Sequence, residues 1–129
     1  MMDIRITLRG RAPRLPFEQM AQEVLDKTYE LSLVVCGDRL ARNMNRKYRN
    51  KTYAANVLSF PLSKTEGEIF LNMRASDREA KRYGVSRDSR LALLFVHGLM
   101  HLRGLQHGRT MEDAEQRILR RFKLASRRI

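Results

Sequence analysis

Residues 91–108 read LALLFVHGLMHLRGLQHG, and they hold every histidine of the chain: His97, His101 and His107. Leu91 to Val96 is apolar on all sides, the pattern of a helix buried at the centre of a domain rather than one lying on its surface. His97 and His101 stand four residues apart, so a helix carries both imidazoles on one face, one turn apart. Gly104 is suited to the left-handed conformation that ends a helix, and the turn lets His107 swing back toward the pair. Burying unpaired imidazoles is costly, and metal ligation relieves that cost. Three neutral imidazoles with an open fourth position make a catalytic zinc site, with nitrogen about 2.0–2.1 Å from the metal. The spacing predicts one zinc per chain and a metal-dependent hydrolase. The competing reading is a pair of hydrogen-bonded core histidines beside an exposed third.

Outward from this helix the chain predicts an α+β order. Asp3 to Leu8 alternates polar and apolar residues, as a half-buried strand does. Pro16 opens a helix with Phe17, Met20, Val24 and Leu25 near one face, running to about Tyr29. Leu31 to Cys36 is a more buried strand, and Gly37-Asp38 turns the chain and caps a helix to about Tyr48. Val57 to Phe60 is a short strand stopped by Pro61, and Glu68 to Leu71 another after a turn around Gly67. Ser76 caps a short helix that Gly84 ends. Ser86 starts the histidine helix, and Thr110 with Asp113 forms a capping box for the last one. The expectation is a single compact domain over residues 1–129: a small mixed sheet of about four strands packed with about five helices, the metal site at the end of the buried central helix.

Composition narrows the function. Of 129 residues 43% are apolar, an ordinary globular fraction, and no run approaches the ~20 apolar residues of a membrane span. No signal-peptide pattern opens the chain, and the lone Cys36 sits in the apolar run LSLVVC as a core residue; both fit a reducing cytoplasm. Basic residues number 26 against 14 acidic, a net charge of +12. Most of the cations are arginine, whose planar fork makes bidentate contacts to phosphate and stacks on exposed bases. A surface of this sign and size predicts a polyanionic partner, nucleic acid first.

Zinc peptidases with the pattern H-E-x-x-H-x-x-G-x-x-H share the histidine spacing and the glycine. They need a glutamate after the first histidine as general base. Gly98 stands there, which disfavours peptidase activity.

The histidine segment is similar to H-G-x-L-H-L-x-G-x-D-H of the YbeY family, bacterial rRNA maturation factors and single-strand-specific metallo-endoribonucleases. Asn45 to Lys51 (NRKYRNK), followed by Asn56 to Pro61 (NVLSFP), resembles the family's N-x-x-Y-R-x-K-D…T-[DN]-V-L-S-F-P. Gly67-Glu68-Ile69 resembles its G-D-I strand, and Met111-Glu112, Glu115, Ile118 and Leu119 match its M-E-x-x-E-x-x-I-L tail. Two positions depart from the pattern: Gln106 replaces the aspartate before the third histidine, and Leu105 an aromatic residue. Glutamine can hydrogen-bond there but cannot take up a proton.

The resemblance implies that His97, His101 and His107 are zinc ligands, with His97 also counted in the catalytic set. It makes Arg49 the arginine that binds the scissile phosphate and stabilises charge developing on it. Lys47, Lys51 and Tyr48 become RNA contacts. It further implies a precursor-rRNA substrate, association with the small ribosomal subunit, late maturation of the 16S rRNA 3′ end, and a monomer without membrane attachment. The alternative is a non-catalytic RNA- or ribosome-binding assembly factor with a structural zinc.

Overall fold

The computed structural model describes residues 2–8, 13–104 and 108–124. The elements follow in the order β1 (Met2–Ile6), α1 (Phe17–Val24), β2 (Glu30–Cys36), α2 (Asp38–Arg49), β3 (Val57–Pro61), β4 (Glu66–Asn72), α3 (Met73–Tyr83), α4 (Arg87–Leu102) and α5 (Arg109–Arg121). One mixed sheet, ordered β1-β2-β4-β3, holds them together: β1, β2 and β4 run parallel, and β3 lies antiparallel to β4. This is the predicted architecture.

Apolar residues decide which face each element covers. Leu31, Leu33 and Val35 of β2, with Ile69 and Leu71 of β4, face a core shared with α1, α4 and α5. The alternate residues, Val34, Cys36 and Phe70, join Ala41 of α2 and Leu58 of β3 in a second cluster. A strand covered on both faces reads as an unbroken apolar run, which is why Leu33 to Cys36 (LVVC) lacks polar alternation. Cys36 is fully buried in that second cluster, and burial with the Asp38 carboxylate nearby pushes its thiol up to about 11. It is an inert core residue. The helix α4 is buried along most of its length, from Leu91 to Met100 with His97 the one half-buried residue, and no helix among the described residues is long and apolar enough to cross a membrane.

Several predicted element ends move. The helix expected to reach Tyr29 stops at Val24, because the Asp26 carboxylate accepts from the Thr28 amide and closes a competing turn. Its four apolar positions are buried as expected. Gly37, not Asp38, is the N-cap of α2; the Asp38 side chain instead takes two hydrogen bonds from Arg78 and one from Asn72. Those bonds, Arg78's first, hold its carboxyl down at about 2. Ser76 is not the cap of α3: Asn72, the last residue of β4, accepts from the amides of Arg74 and Ala75 at 3.1 Å each, so strand passes into helix with no loop. Gly108 rather than Thr110 precedes α5, and among the described residues no side-chain cap of that helix is seen.

Two sheet expectations also change. Residues 3–6 of β1 are exposed rather than half-buried, since the strand forms the sheet edge. Gly67 lies inside β4 and not in a turn. A side chain there would meet the Tyr29 hydroxyl and Leu102 Cδ2, the latter at 2.9 Å, so glycine admits both against the strand.

Candidate metal centre and nucleic-acid cleft

Ser86 starts α4 by accepting a hydrogen bond from the Ser89 amide, as its residue type predicts. Gly104 ends the helical region at φ +95°, its amide bonded to the His101 carbonyl at 2.9 Å. Between these ends, His97 and His101 project from one face. Their Nε2 atoms are 3.1 Å apart and their rings meet edge to face, with centroids at 4.7 Å. Two ligands of one tetrahedral zinc, each about 2.05 Å from it, would stand about 3.3 Å apart. The donor pair fits that ion.

A buried carboxylate fixes the chemistry of His97. Glu115 of α5 has a side chain only 6% exposed, and its Oε1 lies 2.9 Å from His97 Nδ1. A carboxylate in this position accepts a hydrogen bond from Nδ1–H, the tautomer that leaves the Nε2 lone pair turned toward His101. This is the arrangement by which protein carboxylates orient metal-binding imidazoles. In the sequence Glu115 is one of the residues that match the M-E-x-x-E-x-x-I-L tail, and the match gives it no role. The signal was present: it sits four residues from both Met111 and Leu119, on the stripe that α5 buries. A carboxylate on an apolar stripe needs a partner.

His107, with Leu105 and Gln106, lies outside the described residues. Among the described residues no three His, Cys, Asp or Glu side chains form a metal-binding group. Gly108, just beyond, is part of the wall of the same cleft.

That cleft has a volume of about 790 Å³ and runs between β3, α4, the start of α5 and the end of α2. Arg49, Tyr53, Asn56, Arg90, His97, His101 and Glu112 are among its lining residues, so Arg49 shares one cavity with the histidines. Arg49 is the exposed last residue of α2, and Asn50 follows in the left-handed conformation at φ 55°. Asn45, fully buried, donates to the Tyr53 carbonyl at 2.9 Å and ties the next loop to α2. Lys47, Tyr48 and Lys51 are exposed nearby but do not line the cleft; the Tyr48 ring leans on Phe60 at 5.4 Å under the Lys47 ammonium.

Sequence reading missed Arg90. It is paired with Glu79 at 2.6 Å and held over the Tyr83 ring, while Asn56 also donates to Glu79. Nothing in its local pattern separates it from the surrounding arginines, because the partners come from α3 and the loop before β3.

Gly98 carries a packing role. A Cβ there would lie 3.0 Å from Ser59 Oγ, 3.1 Å from Val57 Cγ2 and 3.3 Å from Ile69 Cδ1, and Ser59 donates to the Gly98 carbonyl at 2.9 Å. The helix is pressed onto β3 with no room for a side chain. Gly98→Glu would overpack this contact and bury a carboxylate, so it should cost on the order of 3 kcal/mol or more. A thermal melt checks this; an unchanged midpoint would mean that α4 can move off the sheet cheaply.

Comparison with known proteins agrees with the motifs. The family model described as Endoribonuclease YbeY matches residues 12–123. A protein of Mycoplasma mycoides named Endoribonuclease YbeY is 36% identical over 107 residues, covering 70% of this chain and 65% of that protein. One of the same name from Aromatoleum aromaticum is 36% identical over 120 residues, covering 86% and 78%. The chain thus spans about 65% of the length of its Mycoplasma relative. The solution structure of TM1509 from Thermotoga maritima shares the fold, with a TM-score of 0.66 at 16% identity, over 95% of this chain and 92% of that one. With the histidine motif, the Arg49 block and the α5 tail in one order along a matching fold, the chain belongs to the YbeY family.

Proposed function

We propose that the protein is a zinc-dependent endoribonuclease acting on single-stranded RNA. Its task would be rRNA processing in the cytoplasm: late maturation of the 16S rRNA 3′ end, with precursor rRNA and the small ribosomal subunit as partners. The observation that carries this reading is the convergence of two imidazole Nε2 atoms and Arg49 on one cleft. The names of the relatives and the charge of +12 support it.

His97, His101 and His107 would hold the ion, one per chain. When bound, zinc would supply Lewis-acid polarisation of the phosphoryl group and activation of water near neutral pH. Glu115 keeps the His97 proton on Nδ1, so Nε2 is the ligating atom. Arg49 binds the scissile phosphate and meets the charge that grows on its oxygens. Lys47 and Lys51 contact the backbone on either side. Tyr53, on the cleft wall, and Tyr48, beside it, offer rings on which unpaired bases stack.

The test is incubation of zinc-loaded protein with single-stranded RNA over a salt series, reading binding and cleavage together. If three phosphates are neutralised, affinity should fall roughly 20-fold for a fourfold rise in salt. Binding that ignores salt would remove nucleic acid as the partner. A zinc-loaded protein that binds RNA but cleaves none, pre-rRNA included, would make it an assembly factor with a structural metal.

A further inference from the structure

Among the described residues the strand β1 is an open edge of the sheet, and its residues have a self-complementary order. There it pairs with β2 alone, in the register Met2 with Leu31, Ile4 with Leu33 and Ile6 with Val35. The Thr7 amide donates to the Val35 carbonyl at 3.0 Å. Backbone groups of successive strand residues point to opposite sides. Asp3 and Arg5 therefore turn theirs toward β2 with Thr7, and Met2, Ile4 and Ile6 turn theirs outward. Those same residues carry apolar side chains on the face shared with Leu31, Leu33 and Val35, yet Ile4 is 46% and Ile6 41% exposed. An exposed edge of this kind is a template for another strand.

We propose that this edge pairs with β1 of a second copy of the chain, antiparallel about a two-fold axis at Ile4. In that register Ile4 meets the partner's Ile4 and Met2 meets the partner's Ile6. These are the outward-bonding positions, so the ladder closes with hydrogen bonds at each. Asp3 then stands opposite the partner's Arg5, and Arg5 opposite the partner's Asp3, in the closer non-hydrogen-bonded pairs. A shift of the axis to Asp3 sets Asp3 against the partner's Asp3, and a shift to Arg5 sets arginine against arginine. Charge thus disfavours both adjacent registers, and the interface is isologous, as two-fold dimers require.

Charge also selects the occupant. In a chain of net +12, Asp3 and Arg5 are the only charged residues of β1, and they cancel. At physiological salt charges act mainly within about 8–10 Å, and within that reach the ladder sets Asp3 against Arg5 of the second copy, while the net charge opposes association and keeps it weak. A single short strand pair buries well below the ~1,600 Å² of standard complexes, so the dimer is weak. It replaces the monomer expected from the sequence at high concentration only, and it stands apart from the nuclease reading.

Sedimentation equilibrium of the full chain, from micromolar to sub-millimolar concentration, tests this. The weight-average mass should rise from 15.1 kDa toward twice that value. Asp3→Arg, which makes both cross-strand pairs Arg–Arg, should weaken the dimer about tenfold. Adding Arg5→Asp to it should restore the dimer by exchanging the two partners. Ile4→Pro removes an outward amide that β2 does not use, so it should abolish the dimer and leave thermal stability intact. Amide exchange at Ile4 and Ile6 should slow as concentration rises. Slow exchange at every concentration would mean that the chain covers its own edge, and fast exchange at every concentration that the edge is left for a foreign strand. Either overturns self-pairing, as does a dimer that the charge reversal leaves unchanged.

Discussion

His101→Ala is expected to reduce zinc content from near one per chain to near zero, as measured by metal analysis after dialysis. The two Nε2 atoms stand 3.1 Å apart, a spacing that one zinc ion could bridge, and in the proposed site removing one would break the set rather than weaken it. His101 is partly exposed at the end of α4, beyond the packed stretch from Leu91 to Met100, so the fold should survive. Glu115 grades the same measurement. Glu115→Leu should lower zinc affinity about 10- to 100-fold by freeing the His97 ring. Glu115→Gln should recover part of that loss, because the amide oxygen still accepts from Nδ1. Zinc held near one per chain by His101→Ala would discard the site, and equal affinities for the two Glu115 variants would confine Glu115 to packing.

Arg49→Ala should reduce RNA cleavage by about 10²–10³-fold, the typical loss for one preorganised charge at a transition state. RNA affinity should change only a few-fold, since one phosphate contact among many is removed. Zinc content should not change, because Arg49 lies on α2, outside the ligand set. Arg49 is exposed at a helix end, so no core contact goes with it. Single-turnover cleavage and binding titrations on the same RNA give the two numbers. If both fall by the same factor, Arg49 is an anchor and not a transition-state group.

The segments legible in the sequence carry local, redundant signals. The buried helix α4 was readable because six apolar residues, Leu91 to Val96, leave no polar face, with a serine cap before them and a glycine stop after His101. The strand β2 was readable for the same reason, and α1 showed its buried face even though its end moved. The histidine pair was readable because helical spacing alone sets two side chains on one face.

Interactions between elements distant in sequence were decided only by the tertiary structure. Ser76 and Asn72 are both good caps by type, and Asn72 was selected because β4 delivers it beside Asp38 and Ala55, which its amide also bonds. The alternation in β1 predicts a buried face, but its position at the sheet edge left Ile4 and Ile6 exposed, and strand order is not a local property. Glu115 stands on the apolar stripe of its helix and so needs a partner, but which one is decided only when α5 packs on α4 and sets its carboxylate against His97. Arg49 shares a cleft with the histidines because β3 packs against both β4 and α4 and brings the end of α2 to the same wall. Chemistry that depends on one side chain spacing is written in the sequence; a group that acts through a partner eighteen or forty-eight residues away needs the packed core, because only burial against a common sheet holds the two in reach.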